Sequence, residues 1–240
     1  MQIWGGAQKM SMVELPGAPP IMVELRRSSR AKRVSLRVSR LDGRVSLTLP
    51  LRLREADALT FLRAQEGWLR QNLAKSAALE VVSIGSTLPV EGRMVALQQG
   101  TGRAPQLSEA GLLIPGAPER AGVRAQAFLK ARARDRLAQA SDHYAGQLGQ
   151  RYQSLTLRDT RSRWGSCTAQ GGLMYNWRLI MAPPVVLDYV AAHEVAHLVE
   201  MNHSDAFWAV VARLMPDYAT PRAWLKREGH HLHGYRFSAP

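Results

Sequence analysis

The residues best suited to chemistry are His193-Glu194-Val195-Ala196-His197. On an α-helix, positions four apart differ by about 40° in direction and about 6 Å in height, so these two imidazoles can grip one metal ion from a single face. Glu194 falls at the edge of that face, where its carboxylate reaches a metal-bound water rather than the metal. A catalytic zinc takes three protein ligands and keeps a fourth position open. The pentapeptide supplies two. His203 fits as the third, with Asn202 before it to end the helix in the left-handed conformation that asparagine tolerates. Glu200, one turn beyond His197, is the other option. This set of residue types implies metal-dependent hydrolysis: zinc acidifies its water and polarises the bond to be cleaved, and Glu194 moves the proton as general base. The developing oxyanion needs a donor as well, and Arg163, Tyr218 and Tyr235 are the candidates. Asn176 is a candidate to hold backbone or water near the metal.

The elements that must position this set follow from periodicity. Pro183-Pro184 opens a helix expected to run over 184–201. Leu187, Ala191, Val195 and Leu198 form one apolar face, and Val186, Val190, His193 and His197 lie roughly opposite. A helix of this kind is buried on both sides, where unpartnered histidines are costly and a metal relieves the cost. Before it, 155–157 and 173–177 read as short strands, the second after a Gly171-Gly172 turn. Residues 161–167 (RSRWGSC) sit between them as a cleft edge or a structural turn, with Trp164 as a core plug and Cys167 as a small buried apolar residue. Phe207, Trp208, Val211, Leu214 and Met215 recur at helical spacing and are expected to buttress His203. His230, His231 and His233 read as part of a flexible tail.

Upstream, residues 1–22 read as a flexible tail rich in Gly and Pro. Val34, Leu36 and Val38, then Asp42-Gly43, then Val45, Leu47 and Leu49 spell a β-hairpin. A helix is expected over 54–78, short strands over 81–114, and a long helix over 119–148. The organisation is therefore a tail (1–22), a β-rich N-terminal half (23–118) and a metal-binding half (119–240), in an α+β fold. The 32 basic and 19 acidic side chains give a net charge of +13. Ten of the basic ones fall between Arg26 and Arg54, and Arg33 and Arg37 head the outward face of the hairpin as a candidate nucleic-acid or anion surface. No apolar run approaches the roughly 18 residues of a membrane span. With no secretory pattern at the N-terminus and one cysteine, Cys167, a cytoplasmic setting is expected.

Three passages, 161–167 (RSRWGSC), 175–184 (YNWRLIMAPP) and 188–208 (DYVAAHEVAHLVEMNHSDAFW), resemble the YgjP-like metallopeptidase family, related to SprT-type and Wss-type zinc proteases. The resemblance runs over about 23–231. It implies a zincin-like catalytic half, with a small sheet beside the HExxH helix, preceded by the β-rich half. It implies one Zn2+ ion on His193, His197 and His203, Glu194 as base, and protein or peptide substrates. The Asn202-His203-Ser204 triplet supports His203 over Glu200. The expected function is thus a zinc metallopeptidase. Two alternatives use the same residues: a metal-dependent nucleotide pyrophosphatase, and a nucleic-acid-associated binding module with a structural zinc.

Overall fold

The computed structural model describes residues 10–39, 43–75 and 79–238. The chain divides into two units, 1–79 and 80–240. In the first, strands β1 (Met10–Leu15), β2 (Ile21–Ser28), β3 (Ser35–Val38) and β4 (Val45–Pro50) form one sheet in the order β1-β2-β4-β3. The β2–β4 pair is parallel and the other two are antiparallel. Alternation decides which side is buried: Val45, Leu47 and Leu49 point inward with Val23 and Leu25. Helices α1 (Glu55–Ala64) and α2 (Glu66–Lys75) add Ala58, Leu62 and Leu69 to that core.

The expected hairpin is present as β3 and β4, with Leu36 opposite Leu47; its Asp42 lies outside the described residues. Two expectations are corrected. The stretch read as a tail contains β1, whose Val13 and Leu15 pair with Val23 and Ile21. That strand is too short to announce itself between glycines and prolines, and its partner β2 defines it. The single helix expected over 54–78 is two helices, which meet at Gln65, where the Gln65 N–H bonds both the Phe61 and Leu62 carbonyls. The basic run is also partly spent on structure. Arg26 pairs with Glu24 at 2.8 Å, Arg54 with Asp57 at 2.9 Å, and Arg27 caps the Leu51 and Leu53 carbonyls. Arg33 and Arg37 are exposed.

The second unit begins with β5 (Glu80–Val81), β6 (Thr87–Val90), β7 (Arg93–Gly100), β8 (Gln106–Ser108) and β9 (Gly111–Pro115). The last four form a sheet in the order β6-β7-β9-β8. Helix α3 (Ala121–Gln147) follows, close to its expected extent. Its buried stripe Ala121, Ala125, Leu129, Ala133, Leu137 advances by four residues, so one face enters the core along the whole length. Strands β10 (Ser154–Arg158), β11 (Gly165–Cys167) and β12 (Gly172–Asn176) make a small sheet with β12 in the centre and β11 at one edge. A 3-10 turn (Trp177–Met181) leads into α4 (Pro184–Ala196), followed by α5 (Asp205–Leu214) and α6 (Ala219–Glu228). Strand β13 (Tyr235–Arg236) returns beside β5 in parallel.

This pairing ties residues 80–118 to the second unit, so the division falls at 79/80 and not at the expected 118/119. Glu91, at the β6–β7 turn, fastens the segment before α4: its N–H bonds the Ile180 carbonyl at 2.7 Å and its carboxylate holds Arg132 at 2.9 Å. The described residues are mixed α+β, with six α-helices and several small sheets. None of those helices is long and apolar enough to cross a membrane.

Candidate metal centre

Helix α4 is buried along most of its length, with Pro184 and Val185 exposed in its first turn. Leu187, Ala191 and Val195 lie on one face and Val186 and Val190 on another, all at most 3% exposed. It carries His193 and Glu194 in its last turn and ends sooner than expected, with His197 at its C-terminal cap. The chain then tightens: the N–H groups of Leu198, Val199 and Glu200 bond the Val195 and Ala196 carbonyls. In this turn the Glu200 carbonyl comes to 2.9 Å from Nδ1 of His197. A carbonyl only accepts, so Nδ1 carries the proton and Nε2 of His197 is left with its lone pair outward. Glu200 therefore orients the His197 ring through its backbone, and the group that could hold a metal ion is His193, His197 and His203.

His203 arrives without the left-handed Asn202 that was expected, since among the described non-glycine residues positive φ occurs at Glu91. The reversal is made by the turn over 197–200 and by Ser204, whose side chain caps α5 by accepting from the Phe207 N–H. Phe207, fully buried in the first turn of α5, is the floor of the site. Its ring stacks on His197 at 4.4 Å and meets His203 and His193 edge-on at 4.8 and 4.9 Å. The expected buttress is thus in contact with all three imidazoles.

One nitrogen from each ring lies within 4.8 Å of the others, and Nε2 of His203 is 3.0 Å from Nε2 of His193. Burial, then the neighbouring His197 and His203, then Arg222 hold His193 down to about 3. Burial likewise lowers His197. Neutral rings keep the lone pairs that a metal requires. The donor set suits a divalent borderline ion such as zinc: three imidazoles on one small volume, with a further buried nitrogen, Nδ1 of His193, lacking a hydrogen-bond partner.

Glu194 is 5% exposed, and burial pushes its carboxyl up to about 8, against the pull of Arg163. It fits because β11 passes it with Gly165. A Cβ at that position would stand 2.5 Å from the Glu194 Oε1. The cleft edge read from the RSRWGSC passage is therefore adjacent to the carboxylate. Arg163 is exposed there and within electrostatic range of Glu194. Cys167 is half-buried, its thiol pushed up to about 11 by burial and by Glu194.

The other expected site residues fall in different places. Tyr218 stacks on Trp208 at 5.4 Å, and Trp208 in turn lies 5.8 Å from the His193 ring, so Tyr218 borders the centre. Asn176 is fully buried and both its polar side-chain atoms are engaged: its amide donates to the Thr160 carbonyl at 2.7 Å and its oxygen caps the Arg178 N–H at 2.9 Å. It is a structural cap. Tyr235 lies on β13 opposite Glu80, whose charge adds to burial in raising its hydroxyl. Trp164 packs on Gly229 and lies 5.0 Å from the His233 ring, as a core plug. The C-terminal histidines are not a loose tail, because Gly229–His233 is a 3-10 turn with His233 8% exposed.

Two residues near the triad were missed: Tyr189, whose ring is 5.9 Å from His193, and Arg222, whose guanidinium lies over Trp208 at 4.3 Å. Tyr189 sits four residues before His193, a spacing that could have revealed it. Nothing local marks Arg222.

A search of curated proteins finds no match. Among solved structures, the metallopeptidase zymogen of Pyrococcus abyssi abylysin aligns at 17% identity over 39% of this chain and 95% of that chain, with a TM-score of 0.36. The model of the YgjP-like metallopeptidase domain matches residues 32–228. The chain belongs to the YgjP-like family, and is a metal-dependent hydrolase of the peptidase class.

Proposed function

We propose that this chain hydrolyses peptide bonds with one zinc ion held by His193, His197 and His203, in a zincin-like half, with Glu194 as general base. The observation that carries this reading is the convergence of one ring nitrogen from each of His193, His197 and His203 within 4.8 Å, beside the buried Glu194 of the helix that carries His193. When bound, the ion supplies Lewis acidity and an acidified water. Phe207 fixes the ring planes, and the Glu200 carbonyl fixes the His197 tautomer. Glu194, buried beside the rings, takes a proton from the attacking water and returns it to the leaving amine. The exposed Arg163 is placed to steady the carboxylate or the oxygen on which charge develops. The edge strand β11 offers backbone groups to an extended substrate beside Glu194.

Metal analysis of the purified chain is expected to give about one zinc per molecule, lost in His197→Ala. Glu194→Gln is expected to keep the zinc and lose at least about 100-fold in kcat. Full activity in that variant removes the base assignment. Incubation with a mixed peptide library and, separately, with nucleoside triphosphates tells peptide from phosphoanhydride cleavage; no glycine-rich phosphate loop favours the second. For the first unit, we propose Arg33 and Arg37 as an anion-binding face, because both are exposed and form no ion pair among the described residues. If nucleic acid binds there, replacing both with Ala should reduce the salt slope of the affinity by roughly 2.

A further inference from the structure

Arg222 is a cation beside the three rings, and among the described residues no anion holds it. It lies on α6, and its guanidinium carbon stands 4.3 Å over the Trp208 ring. Trp208 is 5.8 Å from the His193 ring and stacks on His203 at 6.0 Å, so the guanidinium is one aromatic ring away from two of the three ligands. Its charge acts on both His193 and the Tyr189 hydroxyl. The side chain is exposed, and among the described residues no carboxylate lies within ion-pair distance of it and no hydrogen bond is made to the guanidinium. Other arginines of this unit do find partners: Arg132 pairs with Glu91, and Arg178 with Asp159.

Stacking restrains the plane of a guanidinium while leaving its in-plane N–H edge open. That edge is the fork that matches a carboxylate with two parallel hydrogen bonds. An exposed, unpaired, ring-seated fork beside a hydrolytic metal centre is suited to a charge that arrives with the substrate. We propose that Arg222, seated on Trp208, forms a subsite for a carboxylate of the peptide substrate close to the bond being cleaved. The carboxylate is either the free C-terminus or the side chain of Asp or Glu. This subsite rests on the peptidase reading above.

The test uses the full zinc-loaded chain and matched peptides that differ by Glu against Gln at each position flanking the cleaved bond, each with a free or an amidated C-terminus. In the native chain kcat/KM is expected to favour the carboxylate member by roughly three- to tenfold. Whether the gain follows Glu or the free terminus identifies the source. Arg222→Gln should bring the ratio to about one, Arg222→Lys should keep part of it, and Arg222→Glu should invert it. A ratio unchanged in Arg222→Gln overturns the subsite, as does an equal loss of kcat on every peptide, which would mark Arg222 as an oxyanion partner. Calorimetric binding of the Glu peptide to zinc-loaded Glu194→Gln, with and without Arg222→Gln, separates the two readings. Affinity that depends on Arg222 while the native chain cleaves nothing upholds the subsite and removes the peptidase reading; equal affinities overturn the subsite.

Discussion

Gly165 and Glu194 meet where the edge strand β11 passes helix α4, with Glu194 Oε1, Cγ and Cδ all 2.5–2.7 Å from where a Cβ would stand. Any side chain at 165 must push the carboxylate aside or move the strand. Gly165→Ala is therefore expected to lower kcat by about 100-fold while keeping the zinc, as misplacement of a catalytic group by about 1 Å does. Metal content measured beside the rate separates this from loss of the site; full activity would show that the carboxylate has room to spare. Phe207 acts from below. Its replacement by Ala removes the ring that all three imidazoles touch and opens a cavity, which should destabilise the second unit by about 3–5 kcal/mol and weaken zinc binding by roughly 10–100-fold. Urea unfolding and a competitive zinc titration measure the two effects.

Two elements depend on contacts that local propensity does not show. The first turn of α3 sits against the chain at Gly122, where a Cβ would lie 2.5 Å from the Val82 carbonyl oxygen and 2.6 Å from that of Phe237. Ala is the better helix former by about 1 kcal/mol, yet Gly122→Ala is expected to destabilise by about 1–3 kcal/mol, because backbone has to move. A gain in unfolding midpoint would contradict this close approach. The C-terminal 3-10 turn is held by Arg178, which bonds Asp159 at 2.8 Å and the Leu232 and Tyr235 carbonyls. Burial, then Arg178, holds His233 down to about 4. Since an unfolded histidine titrates near 6.5, the unfolded state binds more protons between those values. The stability due to neutral His233 is thus full above about pH 6.5 and falls as pH drops towards 4, by on the order of 3 kcal/mol at most. His233→Phe should flatten that part of the urea-midpoint curve. Burial tends to raise Asp159, but its Arg178 hydrogen bonds and charge outweigh this and lower it, so its contribution is lost only in more acid solution.

At the scale of the molecule, His193, His197, His203 and Glu194 all belong to the unit over 80–240, which has its own core around Leu129, Leu137, Trp177 and Phe207. A fragment over 80–240 is expected to fold and to bind one zinc. If folding of that fragment required residues 1–79, its circular dichroism would show no cooperative melt. With zinc held by the converging rings as proposed, saturation at about 100 times Kd should stabilise the unit by about 2.7 kcal/mol, and His197→Ala should abolish the shift. The boundary itself was misplaced by sequence reading, since β5 looks like one more small strand until β13 is found beside it.

What the sequence determined by itself is the chemistry that repeats over short spacings. The grip of His193 and His197 is a property of one helix, His203 follows within one turn and loop, and the alternation of Val45, Leu47 and Leu49 encodes a buried face. Such signals need no knowledge of the rest of the chain, because helix pitch and strand pleat carry them. Tertiary structure alone decided which carbonyl orients His197, that Gly165 makes room for Glu194, that Asn176 holds the Thr160 and Arg178 backbone, and that Arg222 reaches the rings across Trp208. Those relations join residues from different elements, and only the packing of α4 against β11, α5 and α6 brings them within a few ångströms.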